Sequence, residues 1–463
     1  MVVELVSVLM ALEAAAPVSA VNVEVELRRV LRSGADRVVG VNVNYLRDSD
    51  GNRRPGARPL REALAEMGVK MVRYPGGEKS NFHVWSTPPY DGPRPQALEW
   101  YGGVAGEKLD FDAYVGLMRE LQAEPFVVVG LDGTPRSGRA VEDWLVDAVG
   151  WVRYSNLDRR YGVRLWEVGN ENWGKGKRPP DETGRSLRMV ARAMKAVDPA
   201  IQVGANGMAG SEAWWGPFLA EAGDVIDFAS VSLYNTFGWG GYERLLREPG
   251  IDLIGDVRAA ARLLDRFLPE EKRGRLPIIV TETNSRDYSD GGWPPVNNFG
   301  HAVVTFETLA RLAGEPRVIG AMVWNTRWVN DDEAGDDQMY ALGPLNELTP
   351  TGRAVQLWAA FALSNAVAVR VTGGEGHVVG YATVDEPGRA AVVWVVNRGA
   401  VPASAALTLA DGGAGTWAAR RAWRLSASGP DDRAPTWGEV GGAVNPGRLD
   451  VLPFSVTVVQ LAR

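Results

Sequence analysis

Eight short apolar runs punctuate residues 37–324, and amphipathic stretches fill the spaces between them. The runs are RVVGVNVN (37–44), KMVRY (70–74), EPFVVVG (124–130), RLWEVGN (164–170), IQVGAN (201–206), DFASVSLY (227–234), LPIIVTE (276–282) and VIGAMVW (318–324). Segments such as RPLREALAEMG (58–68), DFDAYVGLMRELQ (110–122) and ETGRSLRMVARAMKAV (182–197) carry helical periodicity. Strands that alternate with helices build a parallel sheet. Eight such units match a closed (β/α)8 TIM barrel. An open doubly wound sheet is the competing arrangement, but no GxGxxG or GxxxxGK[ST] follows any of these strands.

The texture changes after residue 346. AVAVRVTG (366–373), HVVGYATV (377–384), AAVVWVVN (390–397), SAALTLA (404–410), WAARRAWRLSA (417–427) and FSVTVVQLA (454–462) are separated by Gly, Asp and Pro, with no long helical pattern between them. This predicts an additional all-β sandwich over 347–463. Residues 1–35 are expected to add strands at 2–10 and 21–30 to it, because a closed barrel has no edge to receive them. The barrel itself is assigned 36–346. The sandwich is expected to cover one barrel flank, since Trp394, Trp417, Trp423 and Trp437 form no stripe that would bind a glycan.

Composition removes several chemistries. The 463-residue chain has no cysteine, so disulfides, thiolate metal sites and a thiol nucleophile are excluded. Three histidines, His83, His301 and His377, are too few and too scattered for a histidine metal site, and no metal or organic cofactor is expected. The acidic segment 331–337 does not have the spacing of a helix–loop–helix calcium site and reads as a solvated loop, with an ion site as the alternative. A net charge of −7 gives no support to nucleic-acid binding. No apolar stretch is long enough to span a membrane. Residues 1–20 lack the basic start of a signal peptide and contain Glu4 and Glu13, which leaves cytoplasmic and secreted locations both open. GxSxG and HExxH are absent, which argues against a serine hydrolase and a zinc protease.

In a barrel enzyme the chemistry sits where strands end. Here every strand ends in polar residues: Asn42 and Asn44; Arg73 to Gly77; Asp132; Asn170–Glu171; Asn206; Tyr234–Asn235; Glu282 with Asn284; and Trp324–Asn325. Glu171 and Glu282 are the candidate catalytic pair. Glycosidic cleavage needs a proton for the leaving oxygen and a carboxylate facing the anomeric carbon. Strands four and seven should place them across a sugar from opposite sides of the ring. Their separation decides between retention and inversion, and the sequence does not give it. Arg73 is expected to hold a carboxylate ionised, Tyr234 to donate to Glu282, Asn170 to bind the substrate 2-hydroxyl, and Trp324 to floor the reacting sugar. Asn44, Glu78, Asn206 and Asn284 are further candidates for substrate contact. So are Trp173, Trp239, Trp293 and Trp328 which, with Trp85, Trp214 and Trp215, fall in loops at the same face and suggest an aromatic-lined cleft for a polymer. A carbohydrate-binding barrel without catalysis and a lyase or isomerase barrel are the rival readings.

The segments VRYPGG (72–77), LWEVGNEN (165–172), VSLYN (231–235), IIVTETN (278–284) and VWNTRW (323–328) resemble the clan A glycoside hydrolases. Those closest in appearance are the α-L-arabinofuranosidase, β-xylosidase and endoglucanase families that carry a C-terminal β-domain. ELTPTGRAVQLWAAF (347–361) and VLPFSVTVVQL (451–461) extend the likeness to the end of the chain. The resemblance implies a retaining, double-displacement mechanism with Glu171 as acid/base and Glu282 as nucleophile. It also implies support from Asn170, Arg73, Tyr234 and Trp324, and an oligosaccharide or polysaccharide as partner. Two departures bear on the substrate. The arabinofuranosidase pattern has a glutamate near the end of strand one, where this chain has Asn42 and Asn44, and an asparagine where it has Glu78. With the tryptophan-rich loops, they tilt the expectation toward a β-linked glycan, cleaved internally. An α-L-arabinofuranosidase or exo-β-glycosidase is the alternative.

Overall fold

A computed structural model describes residues 18–131, 138–174, 178–234, 236–287, 292–294, 296–329, 339–410 and 417–463. The strand expected at 2–10, the strand-end residues Asp132 and Asn235 and the acidic segment 331–337 lie outside the described residues.

The chain opens with a long strand β1 (Ser19–Ser33) and then enters the barrel. The barrel strands are β2 (Val39–Asn42), β3 (Met71–Tyr74), β6 (Glu124–Val129), β7 (Leu165–Val168), β8 (Gln202–Gly207), β9 (Phe228–Leu233), β10 (Ile278–Thr283) and β11 (Val318–Val323). The short hairpin β4 (His83–Val84) and β5 (Gln96–Ala97) lies in the loop after β3. All eight barrel strands pair in parallel in chain order, and β11 returns to β2 to close the ring. Closure explains why these runs are apolar on both faces. Val72, Val127, Val203 and Val280 face the surrounding helices, while Met71, Phe126, Leu165, Phe228, Ile279 and Met322 fill the lower interior. Above that layer the interior is polar.

The remaining strands are β12 (Asn365–Gly373), β13 (Val378–Val384), β14 (Ala390–Asn397), β15 (Ala403–Ala410), β16 (Ala418–Ser426), β17 (Thr436–Glu439), β18 (Leu449–Val451) and β19 (Ser455–Ala462). With β1 they form one nine-stranded sheet, in the order β17-β16-β19-β14-β13-β12-β1-β15-β18. β1 pairs antiparallel with β12 and parallel with β15, so the segment before the barrel belongs to the C-terminal β-structure. Residues of β14 divide between two cores. Val393 and Val395 join Val23, Val25 and Val459 inside the sheet's own core, whereas Val392, Trp394 and Val396 pack with the barrel's helical layer. Trp394 stacks on Trp358, with ring centroids 4.8 Å apart, and donates to the Leu357 carbonyl at 2.6 Å. A fully buried ion pair crosses the same boundary. Arg398, after β14, donates to both oxygens of Glu307 in the helix Phe299–Gly314, and Tyr381 adds a hydroxyl at 2.9 Å. Among the described residues no helix is long and apolar enough to cross a membrane.

Candidate active site

The upper layer of the barrel interior is a network centred on Arg73. This guanidinium is fully buried, because its strand points it inward two residues above Met71. Its Nε and Nη2 donate to Glu167 Oε2 at 2.9 and 2.7 Å, and Nη1 donates to Glu282 Oε1 at 2.9 Å. Nη1 also reaches Asn42 Oδ1 at 3.2 Å, and Nη2 reaches Asn170 Oδ1 at 2.7 Å. Burial works against the charge, but Glu167 and Glu282 outweigh it and raise the Arg73 pKa above its ordinary value. Glu167 is held from the other side by Asn206 Nδ2 (3.2 Å) and by the Ser230 hydroxyl.

Glu282 reaches this layer through an irregularity in β10. Against β9, Val280 pairs with Val231 and Glu282 with Ser232, so two residues of β10 span one of β9. The extra residue lets Thr281 and Glu282 both serve the interior side, a common use of a bulge beside a functional group. Thr281 receives Asn206 Nδ2 at 3.4 Å, while Glu282 Oε2 accepts from the Tyr234 hydroxyl at 2.9 Å. Glu282 thus has one charged donor, one neutral donor and only slight exposure (5%).

Glu171 follows β7 through two left-handed residues, Gly169 (φ 80°) and itself (φ 45°). A side chain at position 169 would run into the Asn172 amide, so glycine is required for the turn that lifts Glu171 over the barrel mouth. Its Oε1 accepts from the Ser232 hydroxyl at 2.7 Å. Burial, and then the charge of Glu282, push its carboxyl pKa up to about 7. Glu78 adds to the rise, and the Ser232 hydrogen bond and Arg73 oppose it. β7 and β10 are three places apart in the ring, not diametrically opposed.

Trp324 directly follows β11, with a cis peptide to Asn325. Its ring lies against Gly77, where a Cβ would collide with the indole and come within 2.6 Å of Glu282 Oε1. Glycine at 77 therefore keeps the nucleophile candidate and the aromatic floor side by side. The site holds a proton donor near neutrality, an anchored carboxylate and an adjacent indole face, which suits acid-assisted displacement at a sugar carbon.

No family model matches the sequence. Over 195 residues it is 31% identical to an intracellular exo-α-(1→5)-L-arabinofuranosidase of Streptomyces lividans, covering 37% of this chain and 29% of that protein. Over 262 residues it is 27% identical to α-L-arabinofuranosidase C of Emericella nidulans, covering 50% of each. The matched spans are thus half or less of these relatives. Among solved structures, an α-L-arabinofuranosidase from Thermotoga maritima in an arabinose complex superposes with a TM-score of 0.73, at 19% identity, over 96% of this chain and all of that one. A family 44 xyloglucanase of Paenibacillus polymyxa gives 0.63 at 13% identity, over 96% and 99%. The chain resembles the clan A glycoside hydrolases.

The structure sorts the remaining sequence candidates. Asn170 sits at the site, yet its carbonyl oxygen already receives Arg73. Asn44 ties the strand-one loop, donating to the Arg327 carbonyl (3.1 Å) and accepting from the Leu46 N–H (3.1 Å). Asn284 donates to the carbonyls of Trp324 (2.7 Å) and Met339 (3.2 Å). Asn206 is spent on Glu167, Thr281 and Trp173 Nε1. All three fasten the rim through hydrogen bonds within the fold. Glu78 is exposed at the mouth, with the Tyr101 hydroxyl donating to it at 3.4 Å.

The expected aromatic lining is largely corrected. Trp239 and Trp293 are buried, stack on each other at 6.2 Å, and Trp293 covers His301 at 3.5 Å. Trp214 and Trp215 lie in the helix Glu212–Ala222, capped by Ser211, and not in a loop. Trp85 stacks on Trp151 in the core at 5.7 Å. Their rings found other rings, which offer the same apolar faces that a sugar would use. Trp173, Trp324 and Trp328 keep partial exposure. Glu167, Ser232 and Lys79 were missed. A charge inside the apolar strand LWEV and a serine in VSLY were visible signals, but Lys79 in GGEKSNF reads as an ordinary turn.

Proposed function

We propose that the protein is a retaining glycoside hydrolase. The observation that carries this reading is the pairing of two unlike carboxyls. Glu282 is fixed by Arg73 and Tyr234, and Glu171 is raised to about 7 by burial and by the charge of Glu282. In the first step Glu282 attacks the anomeric carbon while Glu171 gives its proton to the departing oxygen, so the C–O bond breaks as a glycosyl ester forms. In the second step Glu171 takes a proton from water. The water oxygen bonds to the anomeric carbon, and Glu282 leaves as carboxylate. Both steps need the carboxyls in opposite protonation states; burial and the charge of Glu282 favour the protonated form of Glu171, while Arg73 and Tyr234 donate hydrogen bonds to Glu282.

For the substrate, an α-L-arabinofuranoside is favoured by the named activities of the similar proteins and by the burial of Trp85, Trp214, Trp215, Trp239 and Trp293. A β-linked glycan is favoured by Asn42, Asn44 and Glu78 standing where the arabinofuranosidase pattern differs, and by the xyloglucanase among the similar folds. The deciding experiment is sugar release from arabinan, xylan, xyloglucan and cellulose and from the matching aryl glycosides, for wild type and Glu282→Ala side by side. Release by wild type alone, with the product's anomer retained by proton NMR, supports the reading. Equal release by Glu282→Ala, or an inverted anomer, refutes it.

A further inference from the structure

Lys79 lies two residues beyond Gly77, in the 3-10 turn Gly77–Phe82 that leads away from the site. Its side chain is fully buried, and among the described residues Nζ has no hydrogen-bond acceptor. It sits instead between two indoles, 4.3 Å from the centre of the Trp324 ring and 4.5 Å from that of Trp328. The two rings are 5.7 Å apart at 60°, so they form a wedge with the ammonium inside it. An ammonium out of water is costly unless opposite charge or π-density replaces the lost hydration.

The charges around it explain why a cation is kept there. Asp48, on the loop after β2, is neutralised by Arg327 at 2.7 Å and receives the Thr326 hydroxyl at 2.6 Å. On β3, β7 and β10, Arg73 faces both Glu167 and Glu282, one positive charge against two negative. Lys79 is the cation that brings this buried group to neutrality, with exposed Glu78 on its own turn.

We propose that Lys79 is a positioning residue of the site: clamped between Trp324 and Trp328, its ammonium fixes the Trp324 ring as the floor for the reacting sugar and balances the Glu167–Arg73–Glu282 network. The role of the floor rests on the glycosidase reading, whereas the clamp is a property of the fold alone. Burial lowers the lysine pKa to about 7 against the pull of Glu282, Asp48 and Glu78, with Arg73 adding to the fall. The clamp therefore weakens as pH rises through neutrality.

The test compares wild type, Lys79→Met and Lys79→Arg. Tryptophan emission is first followed without substrate from about pH 5 to about pH 9, with Glu171→Gln present in all three proteins (wild type then meaning Lys at 79), so that the Glu171 carboxyl, also placed near 7, does not titrate in the range. A transition near neutrality is expected in wild type. It should be absent from Lys79→Met, which fills the space without charge, and from Lys79→Arg, which stays charged throughout. The activity–pH profile is measured next, with Glu171 retained. Removing a positive charge beside carboxylates favours their protonated forms, so the acid limb of Lys79→Met should move up by roughly half a pH unit or more. Its kcat should fall about tenfold while KM changes little, as expected when an aromatic floor loosens. Lys79→Arg should restore the position of the acid limb. A wild-type emission transition that persists in either variant overturns the proposal. So does an unmoved profile in folded Lys79→Met. If Lys79→Met does not fold, the emission and profile of Lys79→Arg decide. If wild type cleaves nothing but shows the lysine-dependent transition, the clamp stands and the glycosidase reading falls.

Discussion

Glu171 should cost the protein stability, and the cost should be removable. Its carboxyl titrates at about 7 in the folded chain against an ordinary 4.5, because burial and the charge of Glu282 both disfavour its ionised form. A carboxyl that binds its proton more tightly when folded stabilises the fold in full below pH 4.5 and loses that contribution as pH rises to about 7. The span between those values, at about 1.4 kcal/mol per pH unit, amounts to about 3 kcal/mol. Glu171→Gln is neutral at every pH and keeps an oxygen for the Ser232 hydroxyl, so it mimics the protonated form. Wild type and Glu171→Gln should melt together near pH 4. Above pH 7 the variant should be the more stable by about 3 kcal/mol, while its activity on substrates that need a protonated leaving group is lost. Because a chain with two cores need not unfold in one step, the comparison is made on the barrel's own melting transition at each pH. A melting difference that stays constant from pH 4 to pH 8 would refute the account of Glu171 as a desolvated carboxyl facing a charged neighbour.

Two other substitutions test the network and its geometry. Glu167→Ala leaves Arg73 buried with only Glu282 as counter-charge. It should destabilise the barrel by about 3–5 kcal/mol and lower kcat, read by thermal melting and steady-state kinetics. Gly77→Ala puts a methyl where the Trp324 ring and Glu282 lie, so activity should fall at least about a hundredfold, measured on the best aryl glycoside. Wild-type rates in Gly77→Ala would show that the close approach is not needed.

Much of the fold was legible because its signals are redundant. Eight apolar runs with helical spacers admit few arrangements, and β1 shows the plain alternation of Val21, Val23 and Val25 with polar neighbours. The short strands β17 and β18 were not legible, since Thr436–Glu439 and Leu449–Val451 are too brief to carry a period, and β17 has no buried residue to mark an inward face. Trp214 and Trp215 were placed in a loop because tryptophan, glycine and proline weaken the helical pattern of Glu212–Ala222. The helix is set instead by the Ser211 cap and by packing. The run AVVWVV in β14 hides a division of labour. Alternate residues serve different cores, and both cores are apolar, so no alternation in polarity reports it.

The strand-end residues show where sequence reasoning stops for a site of this kind. Polar groups do gather at the mouth, but they divide by what the rim can give them. An asparagine both donates and accepts, and a barrel rim is full of backbone carbonyls and N–H groups, so Asn44 and Asn284 are consumed where they stand. A carboxylate only accepts. The rim carbonyls cannot satisfy it, and a buried one persists only if the fold brings cations or hydroxyls to it from other strands. Glu167 and Glu282 received Arg73, Ser230 and Tyr234 by that route, and among the described residues Glu171 received only the Ser232 hydroxyl. The supply of donors differs among three chemically identical side chains. Glu167 and Glu282 are tied to Arg73 in the network, while burial and then the charge of Glu282 push the Glu171 carboxyl up to about 7. That supply depends on which strands neighbour one another at one height of the ring, which is set by register and by the irregularity in β10. A composition or a motif does not contain it, and closing the barrel does.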